Sequence, residues 1–261
     1  MAQQTVVSPD MMDNIQLFNF VVESRYTLFS NSNIPDLWKP LLGFIFRTQL
    51  EPINLIEMIL RYVPPTIWFP HSDKLWSFTK FCRPEEVKVV IVGQEPSDSY
   101  ATGLAFSKDV GTGIYPSTKN ILEEVKSDIG EENLRREFRT DYGNLDLWAK
   151  QGVLLLNSAL TNSTYITHQG IGWKYILLEL IKQLQIINKK IVFMFWGKNA
   201  RDLSLNVEGY EGNKLIAGHP SPNNEYNNFS DCRHFSQANE WLEQHSIKPV
   251  DWCPVPPENS S

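Results

Sequence analysis

Four short, nearly continuous apolar runs, each closed by turn residues, limit this chain more than any other feature. They cover 87–92, 153–156, 191–196 and 215–217. A strand with one wet face alternates apolar and polar side chains, whereas an unbroken apolar run belongs to a strand covered on both faces, as in a parallel sheet. Helical spacing of apolar residues fills the gaps, at about 118–127, 145–150, 173–188 and, after the last run, 234–244. The alternation predicts an α/β three-layer sandwich around a central, mostly parallel four-stranded sheet.

Upstream, Leu37, Trp38, Leu41, Leu42, Ile45 and Phe46 repeat at helical spacing, so two helices fit within 34–63, and Pro64-Pro65 ends the second. The expected organisation is a polar N-terminal tail with a partial helix over 1–30, one domain over 31–253, and a C-terminal tail over 254–261. With 42% apolar and 21% charged residues, the composition is that of an ordinary globular chain. No run approaches the roughly 18 apolar residues that span a membrane. The N-terminus lacks the basic-then-apolar order of a secretory signal. An intracellular monomer, in nucleus or cytoplasm, is the expectation. Three cysteines without a CxxC pair argue against a disulfide framework or a zinc cluster. A net charge of −6 excludes broad electrostatic binding to nucleic acid, although backbone N–H groups, helix starts and a few placed cations can still hold phosphates.

Ligands of open parallel sheets sit beyond the C-terminal strand ends. Here those ends carry Gly93-Gln94-Glu95-Pro96, Asn157-Ser158, Gly197-Lys198-Asn199 and Gly218-His219-Pro220-Ser221-Pro222. An acid, an amide, a cation and an imidazole are thereby predicted to converge on one crevice.

The segments GQEPSDSYATGLAFS (93–107), YPSTKN (115–120), DLWAKQGVLLLNSALT (146–161), THQGIGW (167–173), FMFWGKNA (193–200) and HPSPNNEYNNFSDCRHF (219–235) resemble, in order and spacing, those of family 1 uracil-DNA glycosylases. The resemblance covers roughly 65–253. It implies an enzyme that flips a uracil nucleotide out of single- or double-stranded DNA and hydrolyses its N-glycosidic bond, with neither metal nor organic cofactor. Uracil then leaves as an anion and the sugar becomes oxocarbenium-like, so the site needs donors for the one and negative charge for the other. By the same resemblance, Phe106 stacks on the base, Asn157 reads its edge, His219 donates to O2, and Gln94 and Ser97 lie among the base-binding positions. Glu95 is the catalytic carboxylate, His168 supports the site from behind, and Ser117, Ser221, Asn223 and Lys198 face DNA.

Several loop residues depart from the family pattern. Glu95 stands where the family has Asp, so the charge survives on a side chain one methylene longer, and a displacement of about 1 Å can cost on the order of 100-fold in rate. Ser97 stands where the family has a Tyr that blocks the thymine methyl, which predicts relaxed discrimination unless Tyr100 folds back to refill the space. Asp98 replaces a His and adds negative charge beside DNA. Asn223 replaces the Leu that wedges into the vacated stack, which predicts a preference for single strands. These changes leave a second reading open, a catalytically impaired member that binds DNA or a protein. A nucleotide-binding enzyme is disfavoured, because no GxGxxG or Walker pattern follows the first strand.

Overall fold

A computed structural model describes residues 13–29, 33–64, 66–134, 138–208, 213–223 and 228–256. The four apolar runs become the strands β2 (Val89–Gly93), β3 (Val153–Asn157), β5 (Val192–Trp196) and β6 (Lys214–Ala217) of one sheet. Two short strands, β1 (Trp68–Phe69) and β4 (Asn162–Ser163), pair antiparallel beside it. The sheet order is β3-β2-β5-β6, and every pairing is parallel. All residues of β2, β3 and β5 are buried, as unbroken apolar runs require. The edge strand β6 alternates, with Ile216 exposed.

The helices are α1 (Asn14–Ser24), α2 (Tyr26–Phe29), α3 (Lys39–Thr48), α4 (Leu50–Tyr62), α5 (Pro116–Ile129), α6 (Asp146–Ala149), α7 (Trp173–Ile187), α8 (Lys198–Ser204) and α9 (His234–Gln244). From the central strand β2 the chain crosses one way to β3, then back past β2 to β5. Right-handed crossovers in opposite directions put α5 and α7 on opposite faces. Packing follows suit: α7 lies against α3 and α4, while α5 packs with α9. Trp173, Ile176, Leu177, Leu180, Ile181 and Leu184 form the apolar stripe that seats α7. The reversal of crossover direction between β2 and β5 is a topological switch point, where such sheets open a crevice.

The stretch expected as a polar tail with a partial helix packs into the same core. Asp13 caps α1, its Oδ1 accepting the N–H groups of Ile15 (2.9 Å) and Gln16 (2.8 Å), and Gln16 Oε1 accepts the Asp13 N–H in return. Leu17, Phe18 and Val21 of α1, with Leu28 and Phe29 of α2, join the core that contains the sheet. Residues 1–12 and 257–261, the ends of the two expected tails, lie outside the described residues. Among the described residues, no helix is long and apolar enough to cross a membrane.

Candidate active site

Gly93, the last residue of β2, pairs in register with Asn157, the last of β3, and this pairing frames the site. A Cβ on residue 93 would lie 2.8 Å from Phe106 Cζ and 3.2 Å from Asn157 Oδ1, so only glycine lets ring and amide approach the strand end together. Phe106 sits at φ +65, a left-handed conformation that costs a non-glycine residue about 1–3 kcal/mol. Its neighbours hold it there. Thr118 Oγ1, in the first turn of α5, donates to the Phe106 carbonyl, and the N–H of Ala105 donates to Leu155 O of β3 at 3.2 Å.

The resulting cavity is walled by Gln94, Glu95, Ser97, Phe106, Asn157 and His219, with Tyr115 and Ser117 from the start of α5. Asn157 is only 6% exposed. The Phe106 ring centroid is 5.5 Å from that of Trp196 and 6.2 Å from that of His219. Behind the imidazole stands Gly197 at φ +94, where a Cβ would come within 3.1 Å of His219 Cβ and Cδ2. The Ser221 N–H donates to His219 Nδ1 at 3.1 Å. A ring nitrogen that accepts carries no proton, so neutral His219 keeps its proton on Nε2 as a donor. Burial lowers the pKa of His219, which favours this neutral form.

Glu95 is half-buried and tethered at one oxygen. Thr167 Oγ1 donates to Glu95 Oε2 at 2.8 Å, and Gln169 Nε2 lies 3.4 Å from the same atom. Gln169 Nε2 also donates to the Gln94 carbonyl at 2.8 Å. That carbonyl is gripped further by the N–H groups of Ser158 (3.0 Å) and Ala159 (3.1 Å). Asn162 Nδ2 donates to the Pro96 carbonyl at 3.2 Å. The loop that carries Glu95 is therefore stitched to the exits of β3 and β4 rather than left to the solvent.

Of the four expected strand tips, three place side chains in the cavity. The β5 tip is the correction. Gly197 backs onto His219, and Lys198 is exposed as the first residue of α8, outside the cavity wall. Ser221 and the exposed Asn223 lie on the turn after His219, with the Asn223 N–H on Ser221 Oγ at 3.3 Å. Asn120 Nδ2 of α5 donates to Pro220 O at 2.8 Å and ties this turn to the helix that carries Ser117. His168 is buried away from the cavity, its Nδ1 2.9 Å from Thr161 Oγ1, which also accepts from Trp173 Nε1 at 2.7 Å. Burial lowers its pKa as well. It thereby anchors the 164–172 segment that supplies Thr167 and Gln169.

Two expectations about the loop change. Tyr100 does not fold back beside Ser97: it is 50% exposed, with Lys108 Nζ 5.2 Å from its ring centroid. The tyrosine that lines the cavity with Ser97 is Tyr115. Nor does Asp98 present a bare charge, because Lys108 Nζ lies 3.3 Å from its Oδ2 and the Tyr115 hydroxyl donates to its Oδ1 at 2.7 Å. Sequence reading missed Tyr115, Lys108, Thr167 and Gln169. The last two flank His168 in a segment already singled out, so their position carried a signal; Lys108 had none. Outside the cavity, burial pushes the thiols of Cys82 and Cys232 up to about 12, which removes both as nucleophiles. No group of three His, Cys, Asp or Glu side chains in metal-holding range occurs among the described residues.

Fold and cavity define a class: a doubly wound α/β protein whose strand-end cavity brings together an aromatic ring, a buried amide and a neutral imidazole. Comparison with known proteins narrows it. The family model described as the uracil DNA glycosylase superfamily matches residues 79–243. A Flavobacterium johnsoniae protein named uracil-DNA glycosylase is 34% identical over 220 residues, covering 82% of this chain and 96% of its own. A Pectobacterium carotovorum protein of the same name is 36% identical over 214 residues, covering 80% and 91%. The crystal structure of mimivirus uracil-DNA glycosylase shares the fold, with a TM-score of 0.74 at 23% identity over 90% of this chain and 92% of that one. The chain belongs to the uracil-DNA glycosylase superfamily.

Proposed function

We propose that this protein removes uracil from DNA, hydrolysing the N-glycosidic bond of an extruded uracil nucleotide and leaving an abasic site for base-excision repair. The observation that carries the reading is the meeting of Phe106, Asn157 and a neutral His219 around one cavity. A base inside the duplex cannot enter such a cavity, so unstacking, at a few kcal/mol, precedes chemistry. Stacking on Phe106 returns about 1–3 kcal/mol without regard to base identity. Identity is read by Asn157, whose amide offers one acceptor and one donor. Uracil presents N3–H and O4 to match, whereas cytosine presents the reverse pattern.

As the bond breaks, negative charge grows on uracil O2, where the Nε2–H of His219 donates. Such a donor, fixed in place beforehand, is worth about 10²–10³ in rate. Glu95 supplies the opposite charge for the sugar and a base for the attacking water. Its extra methylene makes placement critical, and the bonds from Thr167 and Gln169 fix one carboxylate oxygen. Ser117 near the start of α5 and Ser221 on the turn after β6 are suited to flanking phosphates, which an acidic chain must hold by local donors rather than bulk charge.

The test is uracil release from a single-stranded oligonucleotide containing one uracil, with Asn157→Ala as control. Release by the natural protein, reduced at least about 100-fold in the variant, supports the reading. Absence of release from both, with DNA binding retained, would instead establish an impaired, DNA-binding family member.

A further inference from the structure

We infer that Tyr115, and not a residue of the 93–100 loop, is the wall that excludes a substituent on carbon 5 of the bound pyrimidine. The inference rests on the uracil-removal reading and names the specificity element of that same site. A pyrimidine bound as proposed offers O2 to His219, N3 and O4 to Asn157, and one face to Phe106. Carbon 5 lies on the remaining edge, next to O4. Glu95 is committed to the sugar. Of the other side chains around the cavity, the serines end at hydroxyls, Ala101 ends at a methyl, Leu104 is 2% exposed and Pro96 is buried, which leaves Gln94 and Tyr115 as the larger groups. Gln94 is an exposed, flexible side chain, whereas Tyr115 presents a rigid ring able to close that edge.

The Tyr115 ring is fixed from three directions. Its backbone is the extended residue that precedes Pro116 at the start of α5, at φ −73 and ψ 144. Its hydroxyl donates to Asp98 Oδ1 at 2.7 Å, and Lys108 Nζ stands 4.8 Å from its ring centroid. Lys108 also lies 3.3 Å from Asp98 Oδ2, and the Tyr100 N–H donates to Asp98 Oδ1 at 2.8 Å, so the carboxylate that holds the phenol is itself held. Asp98 directly follows Ser97. The bond to Asp98 therefore ties the phenol to the residue next to Ser97, and both Ser97 and Tyr115 line the cavity. Burial first, and the Asp98 carboxylate second, raise the phenol pKa, so the hydroxyl remains a donor throughout the working range of pH.

The experiment compares release of uracil and thymine from matched single-stranded oligonucleotides by the full chain and by Tyr115→Ala and Tyr115→Phe. The natural protein is expected to release uracil in strong preference to thymine. One methyl group in a pocket is worth about 10–200-fold, so Tyr115→Ala should raise the thymine-to-uracil ratio at least about tenfold, while Tyr115→Phe, which keeps the ring, should retain most of the discrimination. If Tyr115→Ala does not fold, Tyr115→Leu and Tyr115→Ser provide the same ratio. An unchanged ratio in whichever of these variants folds overturns the inference, as does equal release of both bases by the natural protein. Failure of the natural protein to release uracil overturns the functional reading instead, which keeps the two failures apart.

Discussion

Asn157 and His219 reach the cavity from the ends of strands, whereas Glu95 and Ser97 reach it from the loop after β2, which also carries Asp98. On the strand side, position follows from the sheet: Asn157 completes a fully buried strand, and glycines at 93 and 197 admit the Phe106 and His219 rings. Moving either functional group means moving the core. On the loop side, position follows from side-chain bonds that span long stretches of sequence, Thr167 to Glu95, Asn162 to Pro96 and Tyr115 to Asp98. A loop held this way accepts new residues provided the bonds refit. All three catalytic-loop departures from the family pattern fall on that side: Glu95 and Asp98 have bonded partners, and Ser97 lines the cavity together with Tyr115.

The strand side should be the harder to disturb without loss of chemistry. His219→Ala removes the proposed O2 donor and should lower kcat about 10²–10³-fold in a single-turnover uracil-release assay, with DNA affinity little changed. A decrease below tenfold would move the catalytic weight to the loop.

A second measurement probes the strand side through stability. His234 Nδ1 accepts the Trp196 Nε1–H at 3.0 Å beneath β5, and burial pushes its pKa from 6.5 to about 4. The folded protein thus holds this proton less well than the unfolded chain. Stability is complete above pH 6.5 and falls as pH drops from there towards about 4, by up to about 3 kcal/mol. Urea unfolding at several pH values should show that slope, and His234→Gln should flatten it.

On the loop side, Thr167→Val removes the hydroxyl from Glu95 Oε2. A hydrogen bond to a charged group contributes about 1.5–3 kcal/mol, so kcat should fall about tenfold or somewhat more. KM should hardly move, and Thr167→Ser should restore most of the rate. Loss of activity in both variants would assign Thr167 a purely structural role. The smallest effect belongs to Asn223, exposed on the turn after β6. Asn223→Leu adds an apolar wedge and should raise activity on duplex relative to single-stranded DNA several-fold, read as the ratio of the two initial rates.

How much of this could be read in the sequence depends on the range of the interaction. The strands and the helices α5, α7 and α9 were legible because burial leaves a local period, and Asn157 and His219 because they follow directly on apolar runs. The helix α8 went unseen: it is seven residues long, and only Ala200, Leu203 and Ser204 are buried. The N-terminal helix was legible as an apolar patch, but its place in the core was not, since packing on α3 is decided by surfaces far apart in the chain.

The amino-acid order by itself set the mostly parallel sheet, the crevice at its strand ends and the amide and imidazole that follow the apolar runs, because hydrophobic periodicity and turn chemistry act over a few residues; Phe106 was singled out by the resemblance to the family pattern. Only the tertiary structure decided which nitrogen of His219 holds the proton, which tip stays out of the cavity, and that Tyr115 rather than Tyr100 lines the cavity with Ser97. The first rests on the turn that brings the Ser221 N–H onto Nδ1 from two residues away, the others on contacts that close only when distant segments meet, and neither leaves a periodic trace along the chain.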